Sequence, residues 1–188
     1  MIQLSLIGTQ RLTPLTGLVI AGTGHRPDKL GGYSAAAEAK VMEVARNAID
    51  ELRPARIISG MALGWDTALA KVAIEVGIPL IAAVPFNGFH KKWVPESQRA
   101  FQAILNKASE VVIVDELRDG TYQELNGNIA PGIYNVAKLQ TRNIWMVDNC
   151  EMIAALWDGS SGGTANCLKY ARGMKRVYLN YWENFDAL

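Results

Sequence analysis

Six short apolar runs, at residues 18–21, 56–59, 80–84, 111–114, 152–157 and 176–179, alternate with segments whose apolar residues recur at helical spacing. Runs of this length, apolar almost throughout, suit strands buried on both faces. Strands that alternate with helices along a chain assemble as a parallel sheet covered on both sides. The pattern predicts an α/β fold, a three-layer sandwich with a mainly parallel central sheet. With 188 residues, 49% of them hydrophobic and 20% charged, the chain has the size and composition of one ordinary globular domain. Residues 17–188 are expected to form that domain, and residues 1–16 an extension contributing an edge strand or hairpin.

Between the first two runs, Val41, Val44, Ala45, Ala48 and Leu52 mark a helix that Pro54 ends. A second helix is expected over 66–76 with Gly77 as its C-terminal cap, and a third opens at Pro95. Segments 136–147 and 164–172 read as two more. Segment 117–132 carries Gly120, Gly127, Pro131 and Gly132 with little periodicity. It reads as a long loop, and loops of that length are often functional.

Nineteen Lys and Arg against eighteen Asp and Glu leave a net charge of +1, so the chain as a whole does not attract polyanions or anionic membranes. Nucleic acid is therefore expected not to be a partner. A membrane is not expected either, since no window approaches the roughly 18 uninterrupted apolar residues of a spanning helix. The first residues lack the basic, apolar and small-residue succession of a secretion signal. Cys150 and Cys167 are too few for a metal cluster, so no metal is expected. They read as buried thiols in a reducing compartment, which points to the cytoplasm.

Three glycine-rich stretches follow strand candidates. In the first, Gly22 and Gly24 allow close backbone approach while Thr23, His25 and Arg26 offer donors to an anionic oxygen. The second runs from Ser59 and Gly60 through Gly64 and Trp65 to Asp66, which is either the N-cap of the next helix or a catalytic carboxylate. The third, Asp158, Gly159, Ser160, Ser161, Gly162, Gly163 and Thr164, opens a helix and has the character of a phosphate cradle. It is not a Walker loop, and Pro27 breaks the dinucleotide fingerprint that Gly22 and Gly24 begin. Ligands of open parallel sheets lie beyond the carboxyl ends of the strands, at the point where crossovers diverge. If the first and fifth strands are neighbours, one crevice gathers the first and third loops with the second beside them.

Three stretches, GTGHRP at 22–27, SGMALGWDTALAKVA at 59–73 and RNIWMVDNCEMIAALWDGSSGGTANCLKYA at 142–171, together resemble the YpsA-like branch of the SLOG superfamily. This is a Rossmann-like group that also includes the Lonely Guy enzymes and the DprA core. The resemblance implies a Rossmann-like fold and a pocket for a nucleotide or nucleotide-derived ligand. It places Gly22, Thr23, Gly24, His25, Arg26, Ser59, Gly60, Gly64, Asp66, Arg142, Asn143, Gly162, Gly163 and Thr164 at that pocket. Lonely Guy enzymes cleave the base from a nucleoside monophosphate with the glutamate of a PGGxGTxxE motif. Aligning Gly163 and Thr164 on its Gly-Thr puts Cys167 in place of the acid.

The expected function is binding of a nucleotide or ADP-ribose-like ligand, as a sensor or binding domain, with no separate cofactor. The alternative is a nucleotide N-glycosidase using another carboxylate, for which Asp66, Glu124 and Asp148 are candidates. Glu124 lies in the long loop, and Asp148 also suits a helix end. DprA-like binding of single-stranded nucleic acid ranks last on the net charge. Asp158 joins the ligand-binding set, as do Trp65 and Phe86, which can stack on a base or serve as core residues; Trp93 reads as core. Relatives of this fold often dimerise, so a homodimer or higher homo-oligomer is also expected.

Overall fold

The computed structural model describes residues 17–188; the expected edge strand or hairpin in 1–16 lies outside the described residues. The strands are β1 (Val19–Gly24), β2 (Arg56–Ser59), β3 (Leu80–Val84), β4 (Glu110–Ile113), β5 (Met152–Leu156) and β6 (Val177–Asn180). The helices are α1 (Ala35–Leu52), α2 (Trp65–Glu75), α3 (Pro95–Lys107), α4 (Gly120–Leu125), α5 (Val136–Asp148), α6 (Gly163–Gly173) and α7 (Trp182–Asp186). The strands make one sheet in the order β4-β3-β2-β1-β5-β6, and every neighbouring pair is parallel. The fold is an α/β sandwich of the Rossmann-like type.

The sheet divides the core by simple alternation. Ile20, Ile57, Leu80, Ala82, Ala154 and Leu156 face one side, packing with residues of α1, α2, α3 and α7. Val19, Ala21, Ile58, Ile81, Ile153 and Ala155 face the other, against α5 and α6. Burial on both faces is why these strands read as continuous apolar runs.

Local chemistry sets the helix limits. Ser34 accepts from the Ala37 N–H at 3.1 Å to start α1, and Arg53, in the left-handed region, ends it before Pro54. Pro95 occupies the first turn of α3. Asn135 caps α5 through a 2.7 Å bond from the Ala137 N–H.

The structure departs from expectation in three places. Segment 117–132 is not loop throughout, because Asp119 accepts from the Thr121 N–H at 2.9 Å and starts α4. α4 has no buried residue, so no apolar stripe announced it. α7 was likewise unannounced, being five residues long. β1 continues through Gly22, Thr23 and Gly24, which pair with Ala154, Ala155 and Leu156. Among the described residues no helix is long and apolar enough to cross a membrane.

Candidate functional site

β1 and β5 are neighbours, and from their carboxyl ends the chain departs to opposite faces of the sheet, to α1 and to α6. A crevice must open where crossovers diverge in this way. It is a cleft of about 550 Å³ lined by the first loop, the third loop and one face of α5. That volume falls within the usual range of ligand sites, roughly 300 to 1,000 Å³.

The first loop is tied to the third. The His25 N–H donates to the Leu156 carbonyl at 3.0 Å, and the ring Nε2 lies 2.6 Å from Asp158 Oδ1. Asp158 also receives Lys29 Nζ at 3.2 Å and the Ser160 N–H at 2.8 Å, together with the Ser160 hydroxyl. Ser160, with Lys29 and His25, holds the Asp158 carboxyl well below the usual carboxylate range. Trp157 braces the loop by donating from Nε1 to the Ser160 carbonyl at 2.7 Å.

The third loop ends at Gly162, whose φ of 143° favours glycine. No side chain caps α6, so its first N–H groups are left for another acceptor. A Cβ added at Gly162 or Gly163 would meet nothing within 4 Å. Both residues line the cleft, as do Thr164 and Ser161. Uncovered backbone amides at a helix N-terminus bind anions by their dipoles.

The second loop forms the floor. Ser59 is fully buried, donates to the Asp66 carbonyl at 2.7 Å and accepts from the Met61 N–H at 3.1 Å. Asp66 is not the N-cap of α2; Gly64 holds that position and Asp66 sits in the first turn. Its carboxylate turns back to accept from the Ala62 N–H at 3.4 Å and faces Arg142 at 3.6 Å. Burial pushes the Asp66 carboxyl up, against the pull of Arg142 and Arg26. Arg142, buried on α5, donates to the Gly60 carbonyl and keeps Nε without a partner. A Cβ on Gly60 would run into that guanidinium, which is why the loop needs glycine there.

Of the expected residues, Thr23, Gly24, His25, Arg26, Asp66, Arg142, Asn143, Gly162, Gly163 and Thr164 come together on the cleft. Gly22 lies behind it, under Leu69, and Gly64 presses against the His25 carbonyl. Trp65 is fully buried, donating from Nε1 to the Ala154 carbonyl at 2.9 Å. Phe86 is buried edge-on to Phe89. Neither ring is open to a base. Glu124 is exposed on α4. Asp148, at the far end of α5, accepts from the Tyr122 and Tyr170 hydroxyls at 3.0 and 2.9 Å. Among the three candidate carboxylates, Asp66 alone lines the cleft. Cys167 is buried, its thiol pushed up to about 11 by that burial. Lys29, Val136, Leu139 and Gln140 also line the cleft and went unnamed from the sequence. The helical spacing of Val136, Leu139, Gln140 and Asn143 was the available signal.

No family model matches the chain. It is 35% identical over 148 residues to the SPbeta prophage-derived protein YoqJ of Bacillus subtilis (strain 168), covering 76% of this chain and 82% of that one. DNA processing protein A (DprA) of Streptococcus pneumoniae is similar in structure, with a TM-score of 0.58 at 20% identity over 87% of this chain. DprA of Helicobacter pylori gives 0.56 at 17% identity over 87%, and TM1055 gives 0.52 at 12% over 86%. The chain spans 50%, 64% and 72% of those three chains, respectively. At such identities the likeness is one of fold, a Rossmann-like α/β sandwich.

One expectation is overturned here. The net charge argued against nucleic acid as a partner, yet two of these neighbours are DprA, and the Helicobacter pylori structure describes a single-stranded DNA binding mode. Net charge is a sum over the whole chain. It says nothing of a local surface such as the cleft, where Arg26, Lys29 and Arg142 gather.

Proposed function

The chain belongs to the family of the SPbeta prophage-derived protein YoqJ, and we propose that it binds a nucleotide or nucleotide-derived ligand with a phosphate at the start of α6. The carrying observation is the uncapped N-terminus of α6 opening onto a cleft that Arg26, Lys29 and Arg142 also line. Backbone amides, the helix dipole and guanidinium groups are the means by which proteins hold phosphate. The GTGHRP stretch at 22–27 supports a place in the YpsA-like branch of the SLOG superfamily. Buried free Cys150 and Cys167 suit action in the reducing cytoplasm. Asp66, turned back onto Ala62 and facing Arg142, is better suited to positioning that guanidinium than to activating water. Binding without release of base is therefore expected.

Calorimetric titration with nucleoside monophosphates, ADP-ribose and NAD tests this reading. Arg26→Ala is expected to weaken the bound ligand by about tenfold or more, the loss of one charge-assisted hydrogen bond, while Tm stays unchanged. Gly163→Val, which puts a side chain over the free amides, is expected to abolish binding. Normal affinity in both variants removes the α6 amides from the site. Release of free base during the titration establishes the glycosidase alternative instead.

A second reading, single-stranded DNA in the same cleft, is favoured by the likeness to the two DprA structures. It requires an affinity that falls steeply with salt, with a log–log slope near −0.7 for each phosphate neutralised. A flat salt dependence rejects it.

A further inference from the structure

β6 ends the sheet, with β5 on one side and no strand of the described residues on the other. The neighbouring helices leave that edge open. α6 packs on one face of the sheet, and α7 turns back over the opposite face toward β1, where Trp182 meets His25 edge-on and Phe185 lies under Lys40 Nζ. Proteins usually blunt an open strand edge with a charge, a proline or a bulge. The other edge strand, β4, carries the exposed Glu110. Val177, Tyr178, Leu179 and Asn180 include no charge and no proline, and Val177 is 58% exposed.

The ladder fixes which backbone groups point outward. The Tyr181 N–H donates to the Ala155 carbonyl at 2.9 Å, and in a parallel ladder alternate residues address the same neighbour. Val177 and Leu179 therefore face β5, while Tyr178 and Asn180 turn N–H and C=O away from it. The Asn180 side chain does not cover them, because it accepts from the Trp157 N–H at 3.0 Å and donates to the Trp157 carbonyl at 2.8 Å. Arg176, next in the outward series, already gives its N–H to the Ala171 carbonyl at 2.8 Å. A second copy related by a two-fold axis presents its own β6 antiparallel to this one. One register uses every outward group of Tyr178 and Asn180 on both strands. It sets Tyr178 opposite the second copy's Asn180, Asn180 opposite its Tyr178, and Leu179 on the axis.

That register also matches charge. It brings the turn that carries Lys175, just before β6, alongside the first turn of α7, which carries Glu183, and it does so twice about the axis. Both side chains are exposed. Opposite charges across paired strands add to their stability and like charges subtract from it. We propose that β6 is the docking edge for a second copy of this chain, two β6 strands pairing antiparallel about a two-fold axis at Leu179 and joining two sheets into one. The same edge serves both copies. Backbone groups supply the pairing, while Lys175 and Glu183 select another copy over an arbitrary extended peptide.

The test is sedimentation of the full chain over a concentration series, where the mass of two chains is expected at the upper end. Lys175→Glu and Glu183→Lys are each expected to weaken association about tenfold or more, since each turns two attractive contacts into repulsive ones. An equimolar mixture of the two variants is expected to recover the dimer, because every such contact is then between opposite charges. Mild oxidation with copper phenanthroline reads the register. Leu179→Cys is expected to yield a disulfide-linked dimer, its two copies standing opposite at a Cα separation of about 4.5 Å. Val177→Cys, which has the second copy's Tyr181 opposite, is expected to yield none. The buried Cys150 and Cys167 leave wild type as the uncrosslinked control. A full chain that stays monomeric throughout the series overturns the proposal and leaves the edge to a different occupant. A dimer indifferent to both charge reversals, a mixture that does not recover it, or equal crosslinking of the two cysteine variants also overturns it.

Discussion

Asp158 concentrates the electrostatics of the cleft mouth, since one carboxylate meets His25, Lys29 and Ser160. The hydrogen bonds of Ser160, with Lys29 and His25, favour its charged form, so the folded protein binds that proton less readily than the unfolded chain. The sign follows from linkage: the stabilisation is complete above the ordinary carboxylate range and is lost as pH falls through the depressed folded value. Asp158→Asn is therefore expected to flatten the decline of stability below about pH 4, the unfolded carboxylate value. Urea melts across a pH series read this directly. A slope the variant leaves unchanged places the anchorage of the third loop on other residues. His25, also held by the Leu156 carbonyl through its own N–H, keeps its backbone position in the variant.

At the scale of elements, the segment between β4 and α5 hangs on a buried ion pair. Lys138 Nζ donates to Asp115 Oδ2 at 2.8 Å and to the Ala130 carbonyl at 2.6 Å, and the Gly132 N–H donates to the same carboxylate at 2.9 Å. Both side chains are fully buried. Lys138→Met strands the Asp115 charge and is expected to cost about 3 to 5 kcal/mol, whereas adding Asp115→Leu recovers most of the loss. Amide exchange near Gly132 is expected to speed up in the single variant. No change there means that the pair does not hold the segment.

The same contrast explains what the sequence made legible. β2 and β3 begin and end where their apolar runs do, because Ile57, Ile58, Ile81 and Ala82 are buried on alternate faces. α4 buries nothing and α7 buries Phe185 alone, so neither left a stripe to read. Gly22 and Gly24 look like loop residues, yet they are strand positions kept bare for α2. A Cβ on Gly22 would lie 2.5 Å from Leu69 and one on Gly24 2.6 Å from Trp65. Glycines marked the amide-lined, positively charged side of the cleft by composition. Its apolar side stayed hidden, because a helix face lining a cleft has the same spacing as one packed on a core.

Over the whole molecule, the cleft is lined from both sides of the sheet, by Asp66 of α2 and by Arg142 of α5 and Thr164 of α6, so a ligand held there would stabilise both layers. Binding only the folded state adds about 2.7 kcal/mol when the ligand is at 100 times Kd. For a chain of this length that corresponds to a rise in Tm of roughly 5 to 10 °C. A saturating nucleotide that leaves Tm unchanged binds the unfolded chain equally well or not at all. The pairing of Ile20 with Met152 also orders events while the chain is being made. β1 can join β2 early, since Val19 needs only Arg56, but its other edge stays open until the last third of the chain leaves the ribosome. The crevice is thus a late feature of the molecule, followed only by β6 and α7 among the described elements. A nascent chain that ends before β5 carries two of the three glycine loops, presents the bare edge of β1 to its neighbours, and has not yet built the cleft in which the proposed ligand would sit.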